Sequence, residues 1–398
     1  HILKALFKHA CPNCEGRISD ERLLMGVPCK KCLPLDIKEL RNLYSKMDPL
    51  EFKIKIMEIL KNQGNLQKYY DLVKIEKELA EFELLFKKGT GSRLWSAQRE
   101  WARRVLKGVS FAITAPTGIG KTVFGMSMAI YLSTKGKKSY IILPTTVLVK
   151  QTLDRIKEFL EKAGIQIRVA GYYARLSKTE REEFKQMIET GDFDILITTS
   201  QYLALKFDEV SKHKFDFIFV DDVDALLKLS KNIDRVLLLL GFNNEIINLG
   251  LKLIKLKKEF LQARTSELEK IEYEIEETEN TLNSLKETVK PGILIVSTAT
   301  GKAKGDRVKL FRELLNFTIG SASEGYRNIQ DLHIPREENV EKQVLSLVKK
   351  FGTGGLIFVT LEEGIEFAEK IAKFLKENGI KAEAFHASKK SPEIIDQF

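Results

Sequence analysis

Residues 115–122, Ala-Pro-Thr-Gly-Ile-Gly-Lys-Thr, constrain this chain more than any other stretch, because an apolar run (110–114) precedes them and a helically patterned run (123–131) follows. Strand, glycine turn and helix in that order aim several unpaired backbone N–H groups and the positive end of a helix at one point. A phosphate suits that point. Gly118 and Gly120 let the backbone come close, Lys121 reaches the outer phosphates, and the Thr122 hydroxyl can ligate Mg²⁺. Such a pattern usually opens with glycine, and Ala115 holds that place here. The alternative is an ordinary turn that happens to carry Gly-Lys-Thr; strand, turn and helix all falling where phosphate binding needs them argues against it.

The alternation continues downstream. Residues 139–143, 165–169, 194–199, 215–220 and 292–296 read as buried strands separated by helix-length segments, which predicts a parallel sheet covered on both faces. Ligands of such sheets sit at the carboxyl ends of the strands. Pro144, Thr145, Thr199 and Gln201 fall there, where hydroxyls and an amide can meet phosphate or sugar, although each alone is no more than a helix cap. Asp221 and Asp222 follow the most continuous apolar strand. One carboxylate there can hold Mg²⁺ opposite Thr122 and the other can orient or deprotonate water; an acidic first helical turn is the competing reading. Ser297, Thr298 and Thr300 end the last strand, where short hydroxyls can sense a γ-phosphate. Upstream, Gln98 offers a donor and an acceptor to the edge of adenine.

The chain has 398 residues and 43% hydrophobic content, enough for two or three domains with substantial cores. Lys and Arg outnumber Asp and Glu by 65 to 55, a balance that favours a polyanionic partner such as nucleic acid. No apolar run nears the roughly 20 residues needed to cross a bilayer. The expectation is a cytoplasmic protein without membrane contact, and both ends, His1 and Phe398, read as cuts. Charged residues make up 30% of the chain, rich in Lys and Glu, a bias seen in proteins from hot environments.

All four cysteines lie near the start: Cys11 and Cys14, then Cys29 and Cys32. Two such knuckles can place four thiolates tetrahedrally around one Zn²⁺, with disulfides as the alternative that an intracellular chain disfavours. The expected organisation is therefore a small zinc ribbon (1–36), a helical connector (37–90), a sheet domain (91–323) and a linker with an incomplete second sheet domain (324–398). Residues 355–360 and 381–385 read as the first strands of that second sheet. An insert, 241–290, interrupts the first sheet domain. In it Ile254, Leu261, Leu268, Ile275 and Leu282 recur every seventh residue, while the second seam position is apolar only at Ile271 and Leu285. Half a seam predicts a helix or helical hairpin packed on the body, ended by Pro291.

Gln98, the 115–122 loop, Pro144-Thr145 with Gln151, residues 198–201, Val-Asp-Asp-Val-Asp-Ala at 220–225, Ser-Thr-Ala-Thr at 297–300 and Leu-Ile-Phe-Val-Thr at 356–360 form an ordered set that resembles superfamily 2 helicases. Asp-Asp-Val-Asp, joined to a four-cysteine module and a helical insert, is similar to the reverse gyrase family. That resemblance implies an α/β fold with a RecA-like ATPase domain, the start of a second RecA-like domain, and a type IA topoisomerase as partner on DNA. Together these would introduce positive supercoils with ATP. It further implies that Ala115, Pro116, Thr117, Gly118, Ile119, Gly120, Lys121 and Thr122 hold the phosphates, and that Thr122 and Asp221 hold Mg²⁺. Asp222 would position water, Gln98 would read adenine, Ser297, Thr298 and Thr300 would sense nucleotide, and Pro144, Thr145, Thr199, Gln201 and Thr360 would touch DNA, in a monomer. Asp222 stands where helicases commonly place Glu, and neither the later motifs of the second domain nor the nucleophilic tyrosine of the topoisomerase is found in these residues. A DEAD-box-like RNA helicase and a non-hydrolysing, ATP-gated DNA clamp are the competing readings.

Overall fold

The computed structural model describes residues 5–114, 120–299, 301, 303–319, 334–360 and 362–386. The chain separates into two compact units, His1–Asn328 and Ile329–Phe398.

In the first unit, β1 (Leu6–Phe7) and β2 (Ile18–Ser19) form a small antiparallel ribbon. Six further strands build one parallel sheet: β3 (Phe111–Thr114), β4 (Ser139–Leu143), β5 (Val169–Gly171), β6 (Ile195–Thr199), β7 (Phe217–Val220) and β8 (Ile293–Thr298). Their spatial order is β3-β8-β7-β4-β6-β5. The central strands β4 and β7 are buried at every residue, as expected where helices cover both faces. Alternate side chains feed two separate cores: Ile141, Phe217, Phe219 and Ile295 on one face, Tyr140, Ile218, Val220 and Leu294 on the other. β5 begins at Val169 rather than at Ile165, because pairing with β6 starts only at Val169 opposite Ile195.

The helix after the phosphate loop, Lys121–Thr134, lies directly on β7. Gly125 permits this approach, since a Cβ there would sit 2.6 Å from the Phe219 ring.

The expected boundaries at 36 and 90 do not coincide with breaks in packing. The cysteine module shares one core with helices Ile37–Lys46 and Pro49–Asn62 through Cys11, Ile18, Leu33, Leu40, Phe52 and Ile56. Helix Tyr69–Thr90 then belongs to two cores at once. Its Tyr69 and Val73 pack in the cysteine module, while Leu79, Phe82 and Phe86 pack under the sheet. Twenty-two residues span roughly 33 Å, so one rigid rod joins the two bodies. Phe82 meets Phe124 edge-on, with ring centroids 6.0 Å apart, on the very helix that follows the phosphate loop.

The insert is a hairpin of helices Asn244–Gln262 and Thr265–Glu287. Its seam is buried only at the base, where Ile254 and Leu282 join Leu310, Phe311 and Leu314; Leu261, near the turn, is 84% exposed. Lys257 stands where a full seam would carry an apolar residue, and it makes ion pairs with Glu279 and Glu313 instead.

The second unit contains helices Val340–Phe351 and Gly364–Glu377. Among its described residues there is no strand, contrary to the expectation for 355–360 and 381–385. Leu356 and Phe358 are 85% and 89% exposed. A strand exists only through its ladder partners, and no described segment supplies one here.

Candidate nucleotide site and cysteine cluster

Because β3, β8 and β7 are neighbours, the ends of three strands meet where the phosphate loop begins: Thr114 is paired with Thr298, and Val220 with Val296. Asp221 comes one residue after β7. Its Oδ2 accepts from Thr122 Oγ1 at 3.0 Å and its Oδ1 from Ser297 Oγ at 3.3 Å, so one carboxylate ties helix 121–134 to β8. Burial pushes the Asp221 carboxyl up, outweighing the downward pull of Thr122, Lys121 and Ser297; Asp222 adds to the upward push. Burial likewise pulls the Lys121 ammonium down, with Asp221 and Asp222 working against it. Residues 115–119 and Thr300, also expected in the site, lie outside the described residues.

Gly120, at φ +74°, opens helix 121–134 in a conformation that side chains rarely adopt. Gln98, 3% exposed, is fastened to that point: its Nε2 donates to Gly120 O at 3.3 Å and its Oε1 accepts from Trp95 N at 3.0 Å. Among the described residues, the amide has one hydrogen and one lone pair left for a further partner. Trp95 itself escaped the sequence reading. Its ring is 4.0 Å from where a Gly120 Cβ would stand, yet the residue is 38% exposed. An aromatic three residues before the amide was the available signal.

Asp222 caps helix Val223–Leu227, its Oδ1 accepting from Asp224 N at 3.0 Å and Ala225 N at 3.3 Å. Thr298 Oγ1 donates to Asp224 Oδ2 at 3.4 Å and accepts from Gly301 N at 3.2 Å, a second link between the ends of β7 and β8. On the other side of the switch in strand order, Leu143 is paired with Thr199. Thr145 and Thr199 each cap a helix there, accepting from Leu148 N and Tyr202 N. Thr145 and Gln201 are exposed, while Pro144 and Thr199 are half-buried. Thr360 is exposed in the second unit.

The four cysteines are unbridged, and their sulfurs all lie within 4.8 Å of one another. Among the described residues these four thiols are the group gathered closely enough to hold a metal ion, and they are the donor set that suits zinc. Desolvation opposes ionisation of Cys11, but N–H groups of Cys14, Cys29 and Asn13 draw its thiol down to about 7. Burial, with the sulfurs of Cys14 and Cys29, pushes Cys32 up to about 12. A divalent ion would erase that difference by deprotonating all four. Asn13, wholly buried, fastens the first knuckle to the start of helix 69–90: its Nδ2 donates to Asn65 O and its Oδ1 accepts from Gln67 N. Asn65 Nδ2 in turn donates to Cys32 O.

Residues 95–247 match the DEAD/DEAH box helicase family, and residues 2–53 match the reverse gyrase zinc finger. Reverse gyrases of Pyrococcus horikoshii and Pyrococcus furiosus are each 47% identical over 403 residues, covering 99% of this chain and 24% and 32% of theirs. That of Methanocaldococcus jannaschii is 45% identical over 389 residues, 98% of this chain and 22% of its own. The chain thus spans about a quarter to a third of the length of these curated relatives. Among solved structures, the DUF1998 helicase MrfA aligns over 75% of this chain and 41% of its own, at 13% identity and a TM-score of 0.35, a likeness too loose to add to the assignment. No helix of the described residues is long and apolar enough to cross a membrane.

Proposed function

Because the chain belongs to the reverse gyrase family, we propose that it is the ATP-driven DNA motor of such an enzyme, coupling nucleotide turnover to positive supercoiling by a type IA topoisomerase. The observation that carries this reading is the Thr122–Asp221–Ser297 constellation at the carboxyl edge of the sheet. Two oxygen donors, Thr122 Oγ1 and Asp221 Oδ2, stand side by side beside the loop whose amides and Lys121 would take the β- and γ-phosphates. Mg²⁺ held there would neutralise charge on the transferring phosphoryl group. Gln98 would read adenine and Ser297 and Thr298 would register the γ-phosphate, the latter through Asp224. Thr145, Thr199 and Gln201, with Pro144 and Thr360, would meet the DNA backbone.

The test is steady-state ATP hydrolysis at elevated temperature, with and without DNA, in the parent protein carrying the rest of the second domain. Lys121→Ala should abolish turnover while DNA binding persists; turnover that survives this substitution removes the proposal. Stimulation by RNA in preference to duplex DNA would select an RNA helicase instead. One feature favours the clamp reading: Asp222 already spends Oδ1 on two backbone N–H groups, leaving Oδ2 for water. In that case nucleotide would shift DNA affinity without measurable hydrolysis.

A further inference from the structure

Arg22, on the short helix Asp20–Met25, is 5% exposed. Its Nη1 donates to Pro28 O at 2.9 Å and to Leu33 O at 3.0 Å, and its Nη2 to Leu35 O at 2.5 Å. Pro28 precedes Cys29 and Leu33 follows Cys32, so one guanidinium fastens both ends of the second knuckle. The carbonyls satisfy its hydrogens but do not cancel its charge. Buried charges are costly unless paired, and among the described residues no carboxylate forms an ion pair with Arg22. The groups whose negative charge would favour the charged form of Arg22 are the sulfurs of Cys29 and Cys11 and, last, the carboxylate of Asp36. Asp36 is exposed and is occupied in capping helix Ile37–Lys46, where it accepts from Lys38 N.

Four thiolates around one divalent ion carry two net negative charges, which also need compensation away from water. We infer that Arg22 is the built-in counter-charge and clamp of the cysteine metal site, holding the second knuckle in ligating geometry while balancing a tetrathiolate centre. The inference rests on reading the four cysteines as a zinc site. Arginine suits the task better than lysine, since a planar fork reaches carbonyls in two directions while keeping a delocalised charge. Coupling of this kind is reciprocal: metal stabilises the buried cation as much as the cation stabilises the metal. Without metal, the same arginine is a burden on the fold.

The experiment uses the full chain with Arg22, Arg22→Lys, Arg22→Gln and Arg22→Met. Zinc affinity is measured by competition with a chromogenic chelator, and thiolate-to-cobalt charge-transfer absorption after Co²⁺ substitution reports the ligand set. Expected for Arg22→Met is an unchanged cobalt spectrum with zinc affinity lowered on the order of tenfold to a hundredfold. Arg22→Lys should recover part of this loss and Arg22→Gln less. In excess chelator, Arg22→Met should lose less melting temperature relative to the parent than it does with zinc bound, since the stranded cation it removes offsets part of the cost of the carbonyls it leaves unpaired. Parent-like zinc affinity in Arg22→Met overturns the inference, as does equal loss in the Lys and Gln variants, which would leave only a carbonyl clamp. If Arg22→Met does not fold even with zinc, the Lys and Gln pair decides. Absence of charge-transfer absorption in the unsubstituted chain would instead sink the zinc reading itself.

Discussion

The Thr122 hydroxyl donates to Asp221 Oδ2 at 3.0 Å, joining residues 99 apart in sequence across the crevice between the phosphate-loop helix and β7. Asp221 is thereby held by neighbours that favour its charged form, while its burial disfavours that form. Burial wins, so the carboxyl sits above its ordinary value in the nucleotide-free fold. Such a group contributes stability that is complete below the ordinary carboxylate range and is lost as pH rises through the raised folded-state value. Above that raised value the ionised Asp221 weighs on the fold.

Asp221→Asn should consequently stabilise the nucleotide-free protein near neutral pH, by about 1 kcal/mol, while removing Mg²⁺-dependent nucleotide affinity. The asparagine can still accept from Thr122 and donate to Ser297. Thermal unfolding with and without Mg²⁺ and ADP measures both effects. A lower melting temperature without ligand would contradict the burial argument.

Gly125→Ala tests how the loop helix is seated. The added Cβ would lie 2.6 Å from the Phe219 ring, and overpacking of this kind costs about 1–3 kcal/mol. Because Phe219 is on the strand that carries Asp221, nucleotide affinity should fall along with stability. Chemical denaturation and ADP binding by calorimetry give the two numbers, and an affinity that stays fixed while stability drops would show that the site tolerates a displaced helix.

Much of this arrangement is legible in residues close together in sequence. The helix that begins at Lys121, the apolar runs of β4 and β7 and the helices of the insert each depend on local periodicity, which one sequence displays. What was hidden depends on distant partners. Leu261 keeps the heptad position but is exposed, beyond the base of the hairpin. Residues 356–358 have strand-like composition and, among the described residues, no strand beside them. Asp222 caps helix 223–227, and a capping oxygen and a catalytic one look alike in sequence. Arg22 is one of several cations close to the knuckles in sequence, and its burial sets it apart.

Trp95 should report nucleotide directly. The chain has two tryptophans, and Trp101 is 1% exposed, so a ligand-dependent change in indole emission belongs to Trp95 at the lip of the site. ADP should quench or shift that emission while pyrophosphate, which lacks a base, should do so much less. Trp95→Ala should weaken ADP and leave pyrophosphate binding within about twofold, since base–aromatic stacking accounts for about 1–3 kcal/mol. Equal losses for both ligands would mean that the ring supports Gly120 rather than the base.

Metal removal tests the rod between the two bodies. Cys11→Ser with Cys14→Ser should leave the cysteine module without its ligand set, and the core it shares with helices 37–46 and 49–62 should loosen with it. The first turns of helix 69–90, anchored by Tyr69 and Val73, should lose protection against amide hydrogen exchange. Its second half is held independently by Leu79, Phe82 and Phe86 under the sheet and should stay protected, as should β4 and β7. The boundary of protection is then expected between Val73 and Leu79, inside a helix that is continuous when the metal site is intact. Exchange that rises uniformly through Thr90 would mean that the two cores fold as one unit. A module unchanged by the double substitution would mean that its shared core suffices without metal.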